Sequence, residues 1–289
     1  MENLRENEVV IVGKLVSVDV RKDFDKNNKS YISVDAVIES QISGKKNVFE
    51  INFYTREMTK DNKPNKLYQS YDKLPELVNK KIEVSGELVE NRFWSANLGQ
   101  MVSAQKINGK FIKTQLETVA DSATFSLGGF VVKELVEKTN KNNEVYRYDI
   151  AIGQANYNAT AMNMFTVHVN PEDKEIVRGV KTYQAGMTVL VKGNLVFTEE
   201  QVTVEDENSG FGEKISKVYT NRQKNYYISG GSNPITSAEA GQYSGELIKS
   251  LIEAYKQKDV ELMSNASSKE ANAPVEKEAP VTQRQSSLI

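Results

Sequence analysis

One strand-like stretch is written twice in this chain, and that duplication limits the folds open to it more than any other feature. From Asn79 to Ser95 the sequence reads NKKIEVSGELVENRFWS, in which Ile82, Val84, Gly86 and Leu88 alternate with charged or small residues. This is the period-two pattern of a half-buried strand. The text returns as TVLVKGNLVF from Thr188 to Phe197, with Gly193 against Gly86, 107 residues apart. Three further matches precede it in the same order. VVIVGKLVSV (Val9 to Val18) matches TFSLGGFVVK (Thr124 to Lys133), with Gly13 and Gly128 separated by 115 residues. NNKSYISVDAVI (Asn27 to Ile38) matches NNEVYRYDIAIG (Asn142 to Gly153), and FEINFYT (Phe49 to Thr55) matches MNMFTVHV (Met162 to Val169). A chain of 289 residues that repeats four segments in order has the length to fold twice into one unit, each with its own core.

Each unit offers alternating strands broken by Asn-, Lys- and Gly-rich turns, with one short helical segment between its third and fourth strands. Those segments are KLYQSYDKLPELVNK in the first unit and PEDKEIVRGVKTYQAG in the second. Five strands with a helix in that place are the layout of the oligonucleotide/oligosaccharide-binding (OB) barrel. The expectation is a mainly β protein with two tandem OB-fold barrels, residues 1–118 and 119–235. In the second strand, pairing Ile32, Val34, Ala36 and Ile38 with Tyr146, Tyr148, Ile150 and Ile152 keeps the apolar residues on one face, because a one-residue slip would exchange the faces. After Pro234, Leu247, Leu251 and Tyr255 recur at helical spacing, so an amphipathic helix capped near Ser244 is expected within 236–263. Residues 264–289, rich in Ala, Ser, Pro and Glu, read as a disordered tail.

Composition argues against several classes of function. There is no cysteine, hence no disulfide framework and no thiolate site for zinc or catalysis. The sequence holds no run of eighteen apolar residues, and MENLRENEVV lacks the apolar segment of a signal peptide, so a cytoplasmic protein without a membrane span is expected. Net charge is −2, divided as 19 basic against 17 acidic residues in 1–120 and 12 against 14 in 121–235. That balance disfavours bulk binding of duplex DNA but permits a local basic groove. The single histidine, His168, lies in a strand pattern without a nucleophile motif. The acidic run Glu199, Glu200, Glu205, Asp206, Glu207 lacks the spacing of a calcium loop and suits a solvated hairpin tip. With no phosphate loop, dinucleotide fingerprint or hydrolase elbow, neither enzymatic activity, cofactor nor metal is expected.

Binding chemistry is better represented. Proteins that hold single strands irrespective of sequence pair cations for the phosphates with aromatic platforms for the bases. Here Tyr54 and Arg56 end the third strand, Lys60, Lys63 and Lys66 follow, and the fourth strand runs into Arg92, Phe93 and Trp94. The fifth carries Lys106 and Lys110. With Ile51 and Phe53 inward, Tyr54 faces out, either as a base platform or as a cross-strand aromatic. Trp94, the sole tryptophan, is read either as a base stack in a loop or as core. The second unit adds Arg147, Tyr157 and Arg222, but where the first has ENRFWSANLGQ it has TEEQVTVEDENSGFGEK. Six carboxylates there would repel phosphates, so the first unit is expected to grip more strongly.

VVIVGKLVSV and IEVSGELVENRFWS resemble the first and fourth strands of bacterial and phage single-stranded DNA-binding proteins. The resemblance implies binding of single-stranded DNA, with RNA open, on the face of strands one to three and in the hairpin between strands four and five. It places Tyr54, Arg92 and Trp94 in the site. It also implies replication or recombination proteins as partners of the C-terminal tail. That family commonly carries one such domain and an acidic tip ending in an aromatic, whereas this chain repeats the unit and ends TQRQSSLI. A viral, tandem version fits these departures. The competing reading is a structural or adaptor OB protein of a virion or replication complex.

Overall fold

In the computed structural model the described residues are 4–114, 116, 118–205, 216–238 and 240–271. The first half of the chain contributes β1 (Asn7–Phe24), β2 (Ser30–Ile42), β3 (Lys45–Arg56), α1 (Lys66–Asp72), a 3-10 turn (Leu74–Leu77), β4 (Lys81–Ser95) and β5 (Gln100–Lys113). The second half repeats the order with β6 (Ser122–Thr139), β7 (Val145–Ala155), β8 (Met162–Val169), α2 (Lys174–Val180), β9 (Thr188–Glu205) and β10 (Ser216–Gly231). A last helix, α3, covers Gly245–Ala271. Pairing runs β1–β2–β3, then parallel from β3 to β5, then β4 and back to β1. The second half runs likewise from β6 through β7, β8, β10 and β9 back to β6.

The two halves are not separate sheets. The first residues of β1 lie between β4 and β6, with Val9 opposite both Gly86 and Phe125, so all ten strands form one mixed sheet. Each half closes its own ring of strands, but the expectation that each has its own core is corrected. Apolar interiors of both halves belong to one cluster, from Ile11, Val34 and Phe53 to Ile152, Val167 and Val191. Phe49 of β3 packs on Phe197 of β9 with ring centroids 5.1 Å apart, and the Phe197 N–H donates to Asn47 Oδ1 at 2.9 Å. Apolar residues at the junction gain more by facing each other than by facing water.

Period-two patterning is realised as expected in β2, where Ile32, Val34, Ala36 and Ile38 are all buried. Ile150 and Ile152 bury on β7, but Tyr146 stands exposed where the strand passes beyond the core. The first repeat match shifts by one residue: Gly13 lies opposite Ile82 and Gly129, not Gly128, lies opposite Val189. Close packing sets this register. A Cβ on Gly13 would strike the Glu39 carbonyl, and one on Gly129 the Gly153 carbonyl. The β1–β2 and β6–β7 turns are also copies. Asp25 Oδ1 accepts from the N–H groups of Asn27 and Lys29, and Asn140 Oδ1 from those of Asn142 and Glu144. Asn28 and Asn143 take left-handed φ values of 56° and 62°, a conformation Asn tolerates through local hydrogen bonding.

The inter-strand helices form where the sequence places them. Tyr71 of α1 sits under Phe53 with centroids 5.1 Å apart and donates to the Lys110 carbonyl at 2.8 Å. Burial pushes its phenol up to about 12. The C-terminal helix departs from its expected bounds, starting at Gly245 after Ser244 and reaching Ala271, so residues 264–271 are helical rather than tail. Ser244 caps it, accepting from the Leu247 N–H at 3.2 Å. Ile248, Leu251 and Tyr255 bury against Phe130, Met162 and Tyr243. Among the described residues no helix is long and apolar enough to cross a membrane. Asp206, Glu207 and the tail beyond 271 lie outside the described residues.

Candidate nucleic-acid interface

On the outer face of β2 and β3, Tyr54 projects with 57% of its surface exposed. Its ring meets Tyr31 across the strands, centroids 5.2 Å apart and planes tilted by 39°. Alternation builds this pair: Ile32, Val34, Ile51 and Phe53 point inward, so Tyr31 and Tyr54 must point out. Arg56, opposite Tyr31, is half exposed and pairs with Asp25 at 2.8 Å. The Lys29 N–H, then that of Asn27 and the Arg56 charge, hold the Asp25 carboxyl below the usual carboxylate range. Beyond the pair lies a cavity of about 500 Å³ lined by Phe24, Lys29, Arg56, Met58 and Lys60. Phe24 is 63% exposed at its rim. Lys63 is exposed on the connection leading into α1, and Lys66 at its first residue. Aromatic faces and cations thus meet in one groove, the combination a single strand needs.

Arg92, Phe93 and Trp94 are placed differently from the expected loop. β4 continues through Ser95, pairing Phe93 with Val102 and Trp94 with Met101, and the turn comes only at 96–99. Phe93 is exposed, whereas Arg92 and the half-buried Trp94 share the opposite strand face. Arg92 is bound within the molecule: it pairs with Asp259 of α3, its guanidinium lies 3.8 Å from the centre of the Tyr255 ring, and Glu90 is 3.7 Å away. Glu90, which no motif singled out, collects donors from three elements. It accepts from Ser103 at 2.7 Å, from the Tyr255 hydroxyl at 2.5 Å and from the Met164 N–H at 2.8 Å. Its buried carboxylate ties the β4–β5 hairpin to β8 and α3.

In the second half, Arg147 is held by Asp149 at 2.8 Å and by Asn225 at 3.0 Å. Tyr157 is 83% exposed, with the Arg5 guanidinium 4.9 Å from its ring centre. Asp149 also contacts His168 Nδ1 at 2.9 Å. Burial first, and the nearby Arg147 charge second, lower the His168 pKa against the opposing pull of Asp149. Lys110 pairs with Glu87 at 2.6 Å. Arg222 and Lys224 of β10 reach across to Glu50 of β3, each at 3.0 Å. Lys106 lines the cavity beside them with Asp35, Asn52 and Phe197. Most of the predicted residues fall into three groups: Tyr54, Arg56 and the Lys60–Lys66 segment; the Arg92–Trp94 strand; and Lys106 with Arg222 at the junction; Lys110, Arg147 and Tyr157 join none of them. Tyr31, Phe24 and Lys29 join the first group. The hairpin turn near Asn28 that delivers Phe24 and Lys29 was visible, but not its proximity to Arg56.

A family model described as YorF matches residues 5–266. The chain belongs to the YorF family. A search of curated proteins gives no match to this YorF-family chain. Among solved structures it is similar to the wild-type single-stranded DNA binding protein from Thermus aquaticus, at 15% identity and a TM-score of 0.50, over 85% of this chain and 99% of that one. A deletion mutant of the same Thermus aquaticus protein matches at 14% identity and a TM-score of 0.50, over 84% and 98%. At these identities the likeness is one of fold: the YorF-family chain has the mainly β fold of a single-stranded DNA binding protein.

Proposed function

We propose that this protein binds single-stranded DNA without catalysis, as a tandem OB-type protein whose units correspond to residues 1–118 and 119–235. The observation that carries this reading is the exposed Tyr31–Tyr54 pair beside Arg56, which lies opposite Tyr31 and lines the cavity with Phe24, Lys29 and Lys60. Bases stack on the tyrosines and Phe24, while the cations, continued by Lys63 and Lys66, neutralise phosphates. Phe93, exposed on β4, is a second platform. Arg92 is bound to α3 and Trp94 shares its strand face, so their proposed part is to hold the hairpin that presents Phe93. The fold shared with the Thermus aquaticus protein supports the same reading. Coating of a phage genome in replication or recombination is the role we infer for it, with tail-bound replication proteins as partners.

The test is fluorescence anisotropy of labelled oligo-dT, and of matched oligo-rU, at two salt concentrations. Salt-sensitive binding is expected, and Tyr54→Ala should weaken it by about 1–3 kcal/mol for the lost stack while leaving the melting curve unchanged. A folded chain that ignores both oligomers, yet assembles with itself or another protein, would establish the adaptor reading instead.

A further inference from the structure

The junction between the two halves contains charge that neither half could assemble alone. Glu50 extends from the outer face of β3, and Arg222 and Lys224 extend from β10, 172 and 174 residues further along the chain. The carboxylate lies between the two cations at 3.0 Å from each, and all three side chains are about half exposed. Arg222 is anchored a second time by Glu199 at 2.7 Å, so it keeps its place if Glu50 moves. Lys224 lies 5.8 Å from the centre of the Phe197 ring. Hydrogen bonding from Lys224, with the charges of Lys224, Arg222 and Lys106, holds the Glu50 carboxyl below its ordinary range despite partial burial. Beside this triad opens a cavity of about 500 Å³ bounded by Asp35, Asn52, Lys106 and Phe197. It lies on the outer face of β2 and β3, the face that also carries Tyr31 and Tyr54.

We propose that this junction is a second phosphate subsite for the single strand, closed in the free protein by Glu50 acting as an internal stand-in for the phosphate. A carboxylate and a phosphodiester are both monoanions that accept charge-assisted hydrogen bonds from guanidinium and ammonium groups. When the strand runs from the tyrosine pair toward β10, its backbone displaces Glu50 and takes Arg222, Lys224 and Lys106 as partners. Glu50 thereby sets affinity and selectivity, because an entering anion must outcompete a tethered one. The cavity is within the range of about 300–1,000 Å³ usual for ligand sites. The inference rests on the binding reading above but adds a site made jointly by both halves.

The experiment is anisotropy titration of labelled oligo-dT across a salt series with wild type, Tyr54→Ala, Glu50→Gln and Glu50→Gln/Arg222→Gln/Lys224→Gln, each checked by circular dichroism. Glu50→Gln should bind several-fold more tightly at low salt. Its log–log salt slope should steepen by up to about 0.7, because in the wild type the displaced carboxylate takes back a cation and offsets one phosphate's release of about 0.7. The triple variant should lose this gain. Wild-type affinity and slope in Glu50→Gln, with Tyr54→Ala still weakening binding, would overturn the subsite and leave the binding reading intact. A gain that persists in the triple variant would show that it does not depend on Arg222 and Lys224 and would overturn the subsite as well. Absence of binding in every variant would overturn both.

Discussion

His168 shows how a single residue is explained by its counterpart in the other half. Asp149 lies opposite His168 in the β7–β8 ladder, as Asp35 lies opposite Asn52 in β2–β3, and both pairs are hydrogen-bonded. An Asp–amide pair has become an Asp–imidazole pair in the same position, which favours a structural reading of the histidine over a catalytic one. Arg147, Tyr226 and Tyr227 complete its surroundings. Because burial lowers its pKa in the folded state, the unfolded chain takes up the proton first as pH falls. Stability is thus full above the unfolded value of about 6.5 and declines as pH drops through the lower folded value. Urea midpoints measured from about pH 7.5 to 5.5 should fall for wild type and stay level for His168→Asn, which keeps a donor for Asp149 but cannot titrate. Equal slopes would show that another group controls this window.

At the scale of elements, the repeated strand owes its shape to one glycine in each copy. β4 and β9 pass so near β5 and β10 that a Cβ on Gly86 would collide with the Asn108 carbonyl, and one on Gly193 with the Tyr227 carbonyl. β4–β5 carries its register shift between Ser85 and Gly86, and β9–β10 carries one at Ile228/Gly230, opposite Gly193. A backbone oxygen cannot swing aside as a side chain can. Gly86→Ala and Gly193→Ala should each cost roughly 1–3 kcal/mol of overpacking strain. Gly179→Ala, inside α2 with nothing within 4 Å, should instead stabilise by up to ~1 kcal/mol, by reducing the entropy of the unfolded chain. Denaturant midpoints of the three variants distinguish collision from a general intolerance of alanine.

For the whole molecule, the question is whether two repeats make two folding units. The β1–β6 ladder, the Phe49–Phe197 contact and the Glu90 network all cross between the halves. α3 adds to the last of these by placing Tyr255 on Glu90 and Asp259 on Arg92. Separating the halves would expose a strand edge and leave a buried carboxylate short of donors, both costly. Thermal unfolding followed by tryptophan fluorescence, which reports Trp94 in the first half, should therefore coincide with the loss of far-UV ellipticity from both halves. A fluorescence transition clearly separate from the ellipticity transition would mean that the halves unfold independently.

Much of this was legible in the residues. Alternation of apolar side chains specified the strands and the inward faces of Ile32 to Ile38 and Ile82 to Leu88. Repetition specified that the arrangement occurs twice, and helical spacing located α3. Outward projection of Tyr54 followed from the same alternation. These are local properties, governed by periods of two and 3.6 residues. What local pattern could not supply was the partner of each surface. Charged residues read as free cations were divided among neighbours distant in sequence. Arg92 went to Asp259 and Tyr255, and Arg222 to Glu50. Whether a cation is available to a phosphate depends on which carboxylate the fold brings within about 4 Å, and the tertiary structure alone decided that.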